Sequence, residues 1–298
     1  MLNSYLKEFL EWFSYPQEAG TMLEPALQNI IDNKEAYAEF KELIQWYVED
    51  INCDYQSMRA RMKEISARAG VQEYVGNTIW IICLSKRMKQ YYAENNLPDT
   101  MWYDTMYDLK WKTAECKEIY DVWGVFSPEW YDRFFKLERF CFGKLQFELN
   151  LFGREYEKNG ICLKPDSPVL NVHIPRTGGK LDRESMLDAY QKGSEFFADK
   201  FEGHPIVFVC KSWLLYPRNK EVLSESSNLY TFISDFDIIE QGEYPDYSQA
   251  WRLFSVQYDG NADHLPQNTS LRRAYADWIR NGEKLGWGFG VFVYREEK

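Results

Sequence analysis

A chain of 298 residues with 46 acidic and 35 basic side chains, formally -11 at neutral pH, repels nucleic acid phosphates and anionic lipid, so no nucleic acid and no membrane partner is expected. Its apolar fraction of 45% and charged fraction of 27% exclude a disordered or fibrous chain, and its length suits two domains of ordinary size. An aromatic content of 17% asks for a large core, a pocket, or both.

Leu2, Leu6, Phe9, Leu10 and Phe13 recur at helical spacing until Tyr15-Pro16 stops the run. A longer helix follows, with Tyr37, Phe40, Ile44, Tyr47 and Val48 along one face. Gln56 to Ala69 and Val71 to Tyr92 read as two more, broken at Gly70. Asp99 to Val122 carries Trp102, Met106, Leu109 and Thr113 on one stripe. No segment before residue 130 alternates with period two, so residues 1–127 are expected to form a helical domain. Two basic groups on these helices, Arg59, Arg61, Lys63 and Arg68, then Lys86, Arg87 and Lys89, read as solvated faces.

The pattern changes after Gly124 to Pro128. From Leu137 onward Cys141, Leu145, Phe147, Leu149 and Leu151 are apolar and Lys144, Gln146, Glu148 and Asn150 polar, which predicts one long strand with a buried face. Gly153 to Ser167 is loop or hairpin material. Val169 to Ile174 is a short strand, followed by the turn Arg176-Thr-Gly-Gly-Lys180 and a helix beginning at Asp182 or Ser185. Pro205 to Cys210 is apolar enough for the interior of a sheet. Tyr230 to Ile239 is ambiguous, Trp251 to Val256 reads as a strand, and Thr269 or Ser270 caps an amphipathic helix. Gly286 to Tyr294 closes as a strand whose glycines 286, 288 and 290 share one face, so a ligand or a neighbouring element must approach its backbone closely. Residues 128–298 are therefore expected to form a mixed α/β domain, in an α/β (α+β) chain.

Cys53, Cys83, Cys116, Cys141, Cys162 and Cys210 never form a close pair, which suits reduced thiols better than disulfides or zinc. No export pattern opens the sequence, and the apolar run Thr78 to Leu84 is far shorter than the roughly 20 residues that span a bilayer. A soluble, cytoplasmic protein is expected.

Gly178-Gly179-Lys180 lacks the upstream glycine of a nucleotide-binding loop and is followed by Leu181 where Ser or Thr is required. A dinucleotide fingerprint and a Gly-x-Ser-x-Gly elbow are absent. His173, His204 and His264 are scattered, without a His-Glu-x-x-His motif, and no metal is expected. The most informative segment runs from His173 to Asp182. A turn after a strand aims backbone N–H groups at one point, and Arg176 or Lys180 can add charge-assisted bonds to phosphate. Equally, Asp182 and Glu184 can satisfy the helix dipole and repel a phosphate, leaving an ordinary glycine turn. His173 shares a strand face with Asn171 and suits a general base or a bond to a loop. Glu148 suits a base if its face lines a cleft and solvent exposure if not. Tyr216 and Tyr275 are possible proton donors or core aromatics, and Cys210 reads as an inert buried thiol.

Three segments, Asn171 to Leu181, Leu265 to Ala274 and Gly286 to Phe292, resemble the GNAT-like domain of a family of acyltransferases. The helical first part is similar to that family's paired amino-terminal domain. The resemblance implies a mixed sheet flanked by helices, acetyl-CoA or another acyl-CoA as cosubstrate, and transfer of the acyl group to a small-molecule acceptor bearing an amine. It implies that Arg176, Thr177, Gly178, Gly179 and Lys180 hold the pyrophosphate. The superfamily's Gln/Arg-x-x-Gly-x-Gly/Ala turn is matched at Arg176 and Gly179, whereas Leu181 stands at its last position. Under this reading His173 and Glu148 are the candidate bases and Tyr216 the candidate acid. The alternatives are a noncatalytic module that binds a ligand or a protein on a GNAT-like fold, and a hydrolase of small substrates.

Overall fold

The computed structural model describes residues 2–158, 160–176 and 181–294. They fall into two units, Met1–Phe140 and Cys141–Lys298.

The first unit is built from α1 (Leu2–Trp12), α2 (Gln17–Asp32), α3 (Lys34–Glu49), α4 (Tyr55–Arg68), α5 (Glu73–Glu94), α6 (Asp99–Tyr120) and the short α7 (Asp132–Phe135). The stretch expected as one longer helix is two, because Asn33 takes an extended conformation and its side chain accepts from Ala36 N at 3.0 Å, capping α3. Gly70, at φ 66°, separates α4 from α5. α5 is buried on every side between Val75 and Ser85, as expected of a central helix rather than an amphipathic surface one. Among the described residues no helix is long and apolar enough to cross a membrane.

Residues 128–140, which the sequence pattern groups with the second domain, pack in the first unit. Phe135 meets Tyr47 edge-on with ring centroids 5.3 Å apart, and the Tyr47 hydroxyl donates to Phe135 O at 2.8 Å. Tyr131 donates to the buried Asp108 at 3.1 Å. Their aromatic side chains pack in the helical core. Of the basic groups on the helices, Arg59, Arg61, Lys63, Arg68 and Arg87 pair with Glu129, Glu42, Glu73, Glu39 and Glu94.

The second unit contains β2 (Leu145–Leu151), β3 (Tyr156–Lys158), β4 (Ile161–Leu163), β5 (Pro168–His173), α8 (Arg183–Phe197), β6 (Val207–Ser212), α9 (Asn228–Asp235), β7 (Asp237–Glu243), α10 (Trp251–Phe254), α11 (Ser270–Arg280) and β8 (Gly286–Val293). With β1 (Arg139–Phe142), six strands form a mixed sheet in the order β1-β2-β5-β6-β8-β7, while β3 and β4 make a separate hairpin. The single long strand expected from Leu137 is a hairpin, since Gly143 at φ 60° reverses the chain between β1 and β2. Trp251 to Val256 is not a strand. Adjacent Leu253 and Phe254 are both buried in a cluster with Tyr275, Ala276 and Ile279, which the turn of α10 permits and the alternation of a strand would prevent.

One sheet face carries Phe147, Leu170, Phe208 and Phe292 and is backed by α8, whose Tyr190 ring lies 4.8 Å from both Phe208 and Phe292 and 5.9 Å from Phe147. Gly193 allows that approach, for a Cβ there would sit 2.4 Å from the Phe147 ring. The glycines of β8 serve packing. A Cβ at Gly288 would lie 2.2 Å from Leu215 O, and one at Gly286 2.6 Å from the Tyr216 ring. On the other face the β3–β4 hairpin lays Ile161 and Leu163 over Val169, Val207, Val209 and Val291.

Candidate active site

Antiparallel pairing of β2 with β5 sets Gln146 opposite His173 and Glu148 opposite Asn171. Parallel pairing then sets Asn171 beside Val209, and antiparallel pairing sets Val209 beside Val291. Because paired residues point to one face, Glu148 and Asn171 begin a row that continues into the valines beneath the hairpin. Two polar side chains at the end of an apolar row sit in a half-dry setting, where hydrogen bonds and charge act more strongly than in water.

Glu148 is buried and His173 nearly so, with side chains 8% and 16% exposed, and His173 Nε2 lies 3.3 Å from Glu148 Oε1. The same oxygen accepts from Asn171 Nδ2 at 3.0 Å and from Asn150 Nδ2 at 3.2 Å. Asn171 Nδ2 is also 3.2 Å from His173 Nε2. Asn171 Nδ2 can only donate, so it bonds Nε2 where that nitrogen carries no hydrogen, whereas Nε2 with a hydrogen bonds the Glu148 carboxylate instead; the two contacts belong to different tautomers. Glu148 in this pair orients the ring.

The central strands part at this point. β5 and β6 pair only through Leu170 with Phe208 and Asn171 with Val209 among the described residues. Val172 and His173 continue β5 past that pair, while Cys210, Lys211 and Ser212 pair on the far side of β6 with Gly290, Phe289 and Gly288 of β8. The β5–β6 ladder is thus short, in the interior of the sheet where a longer paired ladder is the rule, and His173 stands at its C-terminal end. A crevice at the C-terminal ends of parallel strands is where α/β sheets bind ligands.

Of the other residues singled out in the sequence, Thr177, Gly178, Gly179 and Lys180 lie outside the described residues. Arg176 is exposed, and its Nη1 donates to Ser255 Oγ at 3.1 Å. Asp182 caps α8 by accepting from Ser185 N at 2.9 Å. Tyr216 stands on the glycine side of β8, the face opposite Glu148, where its hydroxyl donates to Glu243 at 3.0 Å. Burial first, and the Glu243 carboxylate second, raise its pKa above the ordinary phenol value. Tyr275 donates to Asn219 Oδ1 at 2.6 Å in the core. Burial pushes the Cys210 thiol up to about 12. The structure thus brings Glu148 and His173 together and leaves Tyr216 apart from them.

Sequence reasoning assigned no role to Asn150, whose amide supports Glu148, although it lies on the same alternating polar face. Lys211, 3.8 Å from the centre of the Trp287 ring, was missed as well. Its signal was a basic residue at the end of an apolar strand. Among the described residues no three His, Cys, Asp or Glu side chains gather as metal ligands.

Comparison with known proteins bears on this geometry. The N-acyltransferase N-terminal domain family matches residues 4–137, and the GNAT-like C-terminal domain family matches residues 140–292. No curated protein matches the sequence. An acyltransferase solved in complex with decanoyl-CoA and teicoplanin aligns with a TM-score of 0.76 at 20% identity, over 97% of this chain and 87% of that one. An acyltransferase mutant with octanoyl-CoA and an acyltransferase with CoA and 10C-teicoplanin each give 0.75 at the same identity and coverage. At this identity the likeness carries the fold. Since the two domain families follow one another along the chain and the second alone covers more than half of it, the chain belongs to the acyltransferases that join an N-acyltransferase N-terminal domain to a GNAT-like C-terminal domain.

Proposed function

We propose that the protein transfers an acyl group from acyl-CoA to an amine on a small-molecule acceptor, with His173 as general base and Glu148 as its positioning partner. The observation that carries this reading is the buried Glu148–His173 pair at the C-terminal end of the short β5–β6 ladder. An acyl-CoA arm is an extended chain with two amides, and unpaired strand edges are what such an arm can hydrogen-bond to. The solved acyltransferases that share the fold hold CoA, octanoyl-CoA or decanoyl-CoA.

With the thioester in the gap, a strand-edge N–H would stabilise the oxyanion as the amine attacks the carbonyl. In the tautomer that donates from Nε2 to Glu148, His173 takes the proton from the attacking nitrogen at Nδ1, and Glu148 holds the imidazolium that results. The carbon–sulfur bond then breaks and the CoA thiolate leaves, taking a proton from the site or from water. Arg176 and the turn that follows it would hold the pyrophosphate.

The test is an acyl-transfer assay with acetyl-CoA and octanoyl-CoA against a panel of primary amines that includes an amino-sugar glycopeptide, reading free CoA and product mass together. Amine-dependent CoA release with a matching acylated product is the expected result. Tight CoA binding with no amine-dependent release would make the chain a binding module and overturn the catalytic roles of Glu148 and His173.

A further inference from the structure

The sheet face that carries Glu148 and His173 changes character along β6. Val207 and Val209 are buried beneath the β3–β4 hairpin, whereas Lys211, two residues on and on the same face, is exposed. His173 stands at the same level as Lys211, because each lies two residues past the paired Asn171 and Val209. The base and the lysine are therefore neighbours on adjacent strands, where the hairpin no longer covers the sheet.

The lysine is seated on a ring. Lys211 pairs with Phe289 of β8, and Trp287 is the next residue of β8 on that face. The Trp287 ring lies across Gly242 of β7, where a Cβ would come within 2.9 Å of it, so the strand must have glycine at that position to admit the indole. Lys211 Nζ sits 3.8 Å from the ring centre, within the range at which an ammonium is drawn to an indole face. Such a contact restrains the side chain without cancelling its charge. Glu240 lies in the field of Lys211 but is bonded by Arg154 at 2.7 Å, and Arg154 stacks on Phe289 at 4.5 Å. On the catalytic side Glu148 is engaged by His173, Asn171 and Asn150. Among the described residues Lys211 forms no ion pair, so its three N–H donors are held in place beside the base with their charge unspent.

We propose that Lys211, seated on Trp287, binds a carboxylate of the acceptor, so that the amine presented to His173 belongs to an amino acid. The inference rests on the acyl-transfer reading above and names the class of acceptor. Chemistry selects the acceptor over the donor: an acyl chain is apolar, and laying it on an exposed ammonium would cost the hydration of that charge. The donor's phosphates are assigned in that reading to the turn after β5. One ammonium balances the single charge of a carboxylate, and as a compact point charge it asks for no bidentate geometry.

The experiment measures kcat/KM with acetyl-CoA for amino acids of increasing length, from glycine to ε-aminocaproate, and for their carboxamides, in the unaltered protein and in Lys211→Met and Lys211→Arg. The unaltered protein is expected to favour at least one acid over its carboxamide by about tenfold or more, with a preference that shrinks in high salt. Lys211→Met should bring that ratio close to one through a higher KM for the acid, and Lys211→Arg, which keeps both the charge and the stacking on Trp287, should restore most of it. Carboxamides that serve as well as the acids, a preference that survives Lys211→Met, or transfer to other amines but to none of the acids would each overturn the subsite and leave the acyl-transfer reading standing. Folded protein that releases no CoA with any amine overturns the acyl-transfer reading, and the subsite falls with it.

Discussion

The two units satisfy their buried polar groups in different ways. In the helical unit three buried tyrosines end on backbone, Tyr47 on Phe135 O, Tyr55 on Pro128 O and Tyr91 on Tyr47 O, at 2.8 to 2.9 Å, while Tyr5, Tyr92 and Tyr131 meet the single side chains of Ser85, Thr105 and Asp108. These bonds tie one segment to another and leave no group available for chemistry. In the α/β unit the polar residues of one sheet face meet one another, with Glu148, Asn150, Asn171 and His173 sharing a single carboxylate oxygen. Side chain on backbone fixes architecture, whereas side chain on side chain holds a titratable pair in a set orientation at the cost of burying it.

The comparison is tested most severely at Glu148. Glu148→Gln keeps the shape of the side chain and removes its charge, so kcat for acyl transfer is expected to fall by about a hundredfold or more while the melting temperature changes little. A loss of fold with retained specific activity would place Glu148 with the architectural groups. In the helical unit the expectation reverses. Trp80 is fully buried and stacks on Tyr55 with centroids 4.8 Å apart, so Trp80→Ala should cost about 3–5 kcal/mol in urea unfolding. A cost under about 1 kcal/mol would show that the α5 core tolerates a cavity of that size. The smallest effect is expected at the surface pair Arg61–Glu42, 2.9 Å apart with Glu42 largely exposed. Arg61→Ala should leave the melting temperature within about a degree of the unaltered protein, and a larger drop would give the surface ion pairs a structural weight that exposed pairs seldom carry.

Much of this was legible in the sequence. Helical spacing marked α1, α6 and the division of α4 from α5 at Gly70, because a buried stripe recurs every three or four residues wherever a helix packs on one side. Alternation put Glu148 and His173 on polar faces of their strands, and the register that joins them needed only the two strands to be neighbours. Other features depend on partners distant in the chain. Trp251 to Val256 is rich in strand formers, yet contacts with α11 impose a helical turn on it. Residues 128–140 carry no pattern that says which core will take them. Arg176 and Arg272 both donate to Ser255 Oγ from 79 and 17 positions away along the chain, and no local spacing announces it.

The parted strands also have a mechanical meaning. With a ladder of two residue pairs at its centre, the sheet is two three-stranded leaves, β1-β2-β5 and β6-β8-β7, riveted at one point. Behind the rivet aromatic rings bridge them, since Phe147 on one leaf lies 5.1 Å from Phe208 on the other and Tyr190 touches Phe147, Phe208 and Phe292. The two leaves are therefore held together from the back of the sheet, by a cluster of aromatic side chains drawn from both leaves and from α8.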